Sequence, residues 1–229
     1  MIKILFRYKI LMVILVFAAF LRLWRIDQVP VSLFGDELDV GYQAYSILKT
    51  GRDYSGNFMP IHFQSLAEWR TPLYLYSSIP TVALFGISPL GVRLPAALFG
   101  VLGIWLFYLL VKELLRSGSK EKILRDVIPL LAAAVLAISP WHIQYSRAGF
   151  EVTQMLAFFL AGIYFFLRAL RDGKFLPLSA ALLALTPWVY STAKLFTPII
   201  LIALMIIWRK EILGVGKKWL LWTTAVLII

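Results

Sequence analysis

Asp36 and Glu37 stand side by side in Gly35-Asp36-Glu37, and Asp39 follows two residues later. Adjacent carboxylates can take the proton of an attacking hydroxyl or offer oxygen ligands to a divalent cation. Asp36 can equally cap a helix that starts at Glu37. In the stretch Glu68-Trp69-Arg70-Thr71-Pro72-Leu73-Tyr74, Glu68 is a candidate substrate or metal contact. The planar fork of Arg70 suits a phosphate, although an interfacial anchor with Trp69 and Tyr74 would read the same way. A third group runs from Ser139-Pro140-Trp141-His142 through Arg147 to Glu151. Arg147 is a second phosphate candidate, while His142 and Glu151 are candidates for substrate or metal. Lys194, in Tyr190-Ser191-Thr192-Ala193-Lys194, is the third phosphate candidate, or a lysine that snorkels to the membrane surface.

These groups must be positioned by a membrane-embedded frame. Of 229 residues, 61% are apolar, against roughly 45–50% in a soluble domain. The excess lies in long runs, several near the roughly 20 residues a spanning helix needs. The net charge of +11 is gathered in short clusters beside those runs. That is the pattern of cytoplasmic loops, so the expected partner is the lipid bilayer and not nucleic acid. The absence of cysteine excludes disulfides and thiolate metal sites. Lys3, Arg7 and Lys9 precede the run 10–24, which ends in Arg22-Leu23-Trp24-Arg25 without a small-residue cleavage site. It reads as a retained first span that leaves the N-terminus cytoplasmic.

Residues 25–89 read as the first external loop. It holds Asp27, Asp36, Glu37, Asp39, Asp53 and Glu68, half of the twelve acids. Within it, Leu38, Tyr42, Tyr45 and Leu48 share one helical face, which predicts an amphipathic helix over 37–48 lying in the interface and capped by Gly51. The run 72–85 is short and contains Pro80. If it spanned, Lys112, Arg116, Lys120, Lys122 and Arg125 would lie outside, so it reads as a second interfacial helix. Spans are expected at 90–111, 127–139, 152–167, 177–189 and 196–208, with Pro140 to Glu151 as an external turn. Basic loops at Arg168, Arg171 and Lys174, and at Arg209, Lys210, Lys217 and Lys218, alternate with them. A seventh run begins at Trp219 and stops at Ile229. The expectation for 1–229 is therefore an all-α polytopic membrane protein of six to seven spans, the N-terminal part of a longer chain. All four polar groups fall on the external side.

Gly35-Asp36-Glu37, then Tyr45-Ser46-Ile47-Leu48-Lys49-Thr50-Gly51-Arg52-Asp53, then Pro72-Leu73-Tyr74, resemble in order and spacing the GT-C membrane glycosyltransferases. Arg93-Leu94-Pro95-Ala96-Ala97 and Ser139-Pro140-Trp141-His142 extend the likeness over about residues 10–208. It is nearest to the dolichyl-phosphate-mannose protein mannosyltransferases and the aminoarabinose transferases of lipid A. The resemblance implies transfer of a sugar from a polyprenyl-phosphate carrier outside the cytoplasm, with the key acid at Asp36. Arg70 stands near a position where relatives often carry Lys. Lys194 stands where they often carry Arg. The lipid-linked sugar is the donor substrate; a divalent ion held by Asp36, Glu37 and Glu151 stays open, as do the sugar and the acceptor. The competing class is a lipid or solute transporter, which would place ionisable groups at mid-membrane. A non-catalytic membrane scaffold is the third.

Overall fold

The computed structural model describes residues 2–65, 68–118 and 121–228, so Lys120 and Ile229 lie outside the described residues. The elements are almost all helical: α1 (Ile2–Leu23), α2 (Gly35–Thr50), a small hairpin of β1 (Phe63–Gln64) and β2 (Trp69–Arg70), α3 (Pro72–Phe85), α4 (Pro89–Gly118), α5 (Lys122–Ile138), α6 (Pro140–Arg147), α7 (Val152–Ala169), α8 (Leu176–Val189), α9 (Ala193–Ile207), α10 (Arg209–Leu213) and α11 (Lys217–Ile228). Among the described residues, α4 and α7 are long and apolar enough to cross a membrane, and α5 with α6 makes a third if that bent pair is one broken span. α8 and α9, with 14 and 15 residues, are about 21 and 23 Å long. The 14-residue α3 has Pro80 inside it and Gly86 just past its end.

The bundle is packed as membrane helices are, by close approach of small residues. α1 lies against α4 and α5 through Leu11, Ala18, Ile104, Tyr108, Ala133 and Ala137. At Gly162 of α7 a Cβ would come within 2.5 Å of Leu183 on α8, and the Ser179 hydroxyl donates to the Gly162 carbonyl at 2.8 Å. Outward faces stay apolar, as Met12, Val16, Leu195, Ile199 and Ile206 show; this suits a hydrocarbon surround.

Two expectations need correction. The segment after α5 is not a turn but the helix α6, bent 57° from α5. Ser139 is extended and Pro140 occupies the first helical position, where its missing N–H costs nothing. Nor does Asp36 cap α2. The helix starts two residues earlier, at Gly35, with Phe34 at the cap position, and Glu37 reaches back to accept from the Phe34 N–H at 2.9 Å. The remainder of α2 follows the sequence reading. Leu38, Tyr42, Tyr45 and Leu48 face outward, and Gly51 closes the helix in the left-handed region at φ 69°.

One buried network ties α2 to the bundle. The Glu37 and Arg93 side chains are 1% and 0% exposed. The Arg93 guanidinium commits all five of its N–H groups. Nε donates to Glu37 Oε1 at 2.7 Å and Nη2 to Oε2 at 3.0 Å. The other three bonds go to the carbonyls of Ile26, Pro30 and Ser32. Glu37 Oε1 also accepts from the Gly149 N–H at 2.9 Å. Gly149 permits that approach, because a Cβ there would meet Val92 at 2.9 Å. α4, α2, the strap after α1 and the α6–α7 turn thus meet at one ion pair. Burial opposes the charge on Glu37, yet hydrogen bonds from Arg93, Phe34 and Gly149 hold its carboxyl below the ordinary value.

Charged loops are sorted by end. Arg7 pairs with Asp126 and Arg171 with Glu113, and Gly173 packs on Val215 and Trp219. This brings the basic segments around α1, α4–α5, α7–α8 and α10–α11 to one end of the bundle. α2, the hairpin, the α6–α7 turn and the α8–α9 turn occupy the other. Single cysteines introduced at Arg116, Lys210 and Tyr54 should therefore fall into two classes. In sealed vesicles an impermeant thiol reagent should reach positions 116 and 210 from one face and position 54 from the opposite face; labelling of all three from one face would contradict the arrangement. Arg93→Met strands a buried carboxylate and should cost about 3–5 kcal/mol, read as a lowered unfolding midpoint in detergent. Acid should act in the same direction. The Glu37 contribution is complete above the unfolded glutamate pKa of about 4.3 and is lost as pH falls through the lower native value, visible as a wild-type midpoint that drops on acidification while that of Glu37→Gln drops less.

Candidate active site

Residues on a helix turn by about 100° each, so Asp36 and Glu37 leave α2 in different directions. Glu37 enters the protein, and the expectation that it works beside Asp36 meets a carboxylate whose two oxygens already hold four donors. Asp36 and Asp39, three residues apart, share the other face and converge on Arg70 of β2. The Asp36 carboxylate accepts a hydrogen bond from Arg70 Nη2. Asp39 Oδ2 lies 3.2 Å from Arg70 Nε, without hydrogen-bond geometry. Glu68 Oε1 lies 3.3 Å from Arg70 Nη2. Side-chain exposure separates the three acids: Asp39 is 8% exposed, Asp36 43% and Glu68 66%.

The hairpin explains why Arg70 reaches this point. Phe63 pairs with Arg70 and Gln64 with Trp69; Phe63 is fully buried, and Gln43 of α2 donates to the Gln64 carbonyl at 2.9 Å. Directly after Arg70, the Thr71 hydroxyl donates to the Val189 carbonyl at 2.6 Å. This places the end of α8, and the turn leading to Lys194, beside the cluster. Lys194 is exposed at the start of α9, and its ammonium makes no ion pair among the described residues. Glu151 joins from the other side. It lines a small cavity with Val40, Arg70, Thr71 and Tyr74. Burial pushes its carboxyl above the ordinary value, although Arg70 pulls the other way.

Two expected members stand apart. Arg147 donates to the carbonyls of Leu21, Trp24 and Val29 at 2.8–2.9 Å, closing the end of α1, where a cation is favoured. His142 is buried, with Nδ1 2.7 Å from Arg22 Nη2. Arg22, itself 0% exposed, also donates to the carbonyls of Ala18 and Ala137. These two residues hold α6 to α1 and α5.

Among the described residues no group of three or more His, Asp or Glu side chains is arranged to hold a metal ion. The proposed oxygen set does not converge: Glu37 is turned into its pair with Arg93, and Asp36 is paired with Arg70, whose guanidinium is the cation at the centre of the acids. Sequence reasoning assigned no partner to Arg22, Arg93 or Asp39. An arginine within or beside an apolar run is costly in a membrane and marks a specific partner, and that signal would have singled out Arg22 and Arg93. Nothing local marked the partner of Asp39, which is 31 residues away in a two-residue strand.

A sequence model described as dolichyl-phosphate-mannose-protein mannosyltransferase matches residues 70–229. No curated protein and no solved structure matches the chain. The matched segment begins at Arg70, the centre of the acidic cluster, and takes in Arg93, Glu151 and Lys194. Helical architecture, spanning helices and this match agree, and the chain belongs to the dolichyl-phosphate-mannose-protein mannosyltransferase family of GT-C type membrane glycosyltransferases.

Proposed function

We propose that the chain carries the catalytic carboxylate of a transferase that moves a sugar from a polyprenyl-phosphate donor to an acceptor hydroxyl on the extracytoplasmic side. The observation that carries this reading is the contrast between two neighbours. Glu37 is sealed into the fold, while Asp36 is half-exposed and held in place by Arg70. In the reaction, the acceptor oxygen forms a bond to the anomeric carbon as the bond from that carbon to the phosphate oxygen breaks. The acceptor proton passes to Asp36, within the reach general base catalysis needs. The lipid phosphate leaves with the electron pair and its charge, and needs cations to stabilise it.

Arg70 serves first as the positioning residue for Asp36. It can also face the leaving phosphate by exchanging its bond to Glu68, the most exposed of its three partners. Lys194 approaches from the neighbouring turn and supplies a second cation. Arg147, with three N–H groups on backbone carbonyls at the end of α1, belongs to the frame. The side follows from charge. The basic end of the bundle takes the cytoplasmic face by the positive-inside rule, leaving the acidic cluster outside and the N-terminus inside.

Asp36→Asn keeps size and removes the base. Transfer from a polyprenyl-phosphate sugar should fall roughly 10²–10⁴-fold with little change in donor KM. A variant working at the wild-type rate would remove Asp36 from the chemistry. Lys194→Ala should act on the donor, raising its KM or lowering the rate, and leave the unfolding midpoint unchanged. An unaltered donor dependence would place Lys194 with the snorkelling lysines.

A further inference from the structure

At the basic end, away from the acidic cluster, a cavity of about 340 Å³ opens between α4, α5 and α7. That is within the size range of small-molecule sites. Its wall carries Lys112 and Arg116 from α4, Arg125 from α5 and Arg168 from α7, together with Glu113 and Asp126. Two carboxylates among four cations would ordinarily neutralise two of them. Here the two carboxylates are neutralised from elsewhere: Asp126 pairs with Arg7 of α1, and Glu113 with Arg171.

The four cations of the wall are consequently left without a carboxylate among the described residues. Lys112 sits over the rings of Tyr8 and Tyr108. Arg168 donates to the Tyr164 hydroxyl at 3.3 Å and stacks on Phe175. Both are thereby oriented without a direct ion pair, although Glu113 and Asp172 act on Arg168 at longer range. The guanidinium groups of Arg116 and Arg125 make no ion pair among the described residues. Topogenic charge needs only to be in the loops. It does not require cations from three helices to face one cavity with their neighbouring acids turned to outside partners.

We propose that this cavity binds a phosphate group on the basic side of the membrane. Arginine forks and a lysine suit phosphate oxygens, and the cavity lies at the ends of spanning helices, where lipid headgroups lie. The nearest source is the phosphodiester of an anionic phospholipid; a water-soluble phosphate offers the same chemistry. The inference is independent of the transfer reaction, and none of its residues belongs to the acidic cluster.

The test uses the full chain purified in detergent at about 0.15 M salt. Dioleoylphosphatidylglycerol, dioleoylphosphatidylcholine and inorganic phosphate are titrated separately, and bound molecules are counted by native mass spectrometry. One phosphatidylglycerol should bind per chain in preference to phosphatidylcholine. Arg116→Ala/Arg125→Ala should weaken it about 25-fold, at roughly five-fold per cation removed. Lys210→Ala/Lys217→Ala, at the same end but outside the cavity wall, should not. Should the alanine pair fail to fold, Lys112→Gln/Arg116→Gln serves in its place, and the unfolding midpoint without lipid checks both. Binding of inorganic phosphate that the cavity variants lose, without preference among lipids, would support the site and assign it to a soluble ligand. Phosphatidylglycerol bound no better than phosphatidylcholine with no phosphate bound, or equal losses in the cavity and control variants, would overturn the proposal.

Discussion

Arg93 donates five hydrogen bonds from the first turns of α4, two of them to Glu37, and Glu37 accepts two more from the backbone of Phe34 and Gly149. A buried pair of this kind adds little when complete but is costly to break, because either partner alone is a desolvated charge. Here its value lies in what it joins. The strap after α1, the start of α2, the start of α4 and the α6–α7 turn are separate in sequence, and beside the apolar cluster of Val40, Phe63, Tyr74 and Val92 that packs α2, the hairpin, α3 and α4 together, they share this one polar junction. The ion pair locates them all against one point. Asp36, one residue before Glu37, is held in place as a consequence.

Adjacent carboxylates therefore do different work. Rotation along α2 sends Glu37 into the protein and leaves Asp36 and Asp39 on the side where the hairpin delivers Arg70. Arg70 then holds Asp36 through its side chain, while Thr71 docks the end of α8 through a single hydroxyl. Acid and base are separated at larger scale as well. The acidic cluster is at one end of the bundle, and the cations of α4, α5 and α7 gather around a cavity at the other. A chain with net charge +11 thus keeps its acidic cluster and its cation-lined cavity at opposite ends of the bundle.

Much of this frame was legible in the sequence. Apolar runs gave α1, α4, α5 and α7–α9, because helix length in a bilayer is set by its thickness. Gly51 marked the end of α2, because few other residues adopt its backbone angles. The charge clusters told which loops share an end. The site was legible only as a set of candidates. Asp36, Glu68 and Arg70 proved to be neighbours, with Glu151 and the Lys194 turn at their edges. His142 and Arg147 proved to belong to the packing of α1 and α6. What local spacing could not supply was partnership at long range. Glu37 and Arg93 are 56 residues apart, and nothing near Glu37 announces a guanidinium. The hairpin was hidden for a similar reason, since two-residue strands carry no periodicity and are held by Phe63 and Gln43.

If the Glu37–Arg93 pair, and not apolar packing alone, positions the residues around Asp36, loss of the pair must loosen them. Hydrogen–deuterium exchange followed by mass spectrometry on wild type and Glu37→Gln in the same detergent tests it directly. The account predicts faster exchange in the variant across residues 26–40 and at the 148–150 turn, with the interior of α4 and α7 unchanged. Unaltered protection of residues 26–40 in a folded Glu37→Gln protein would contradict it.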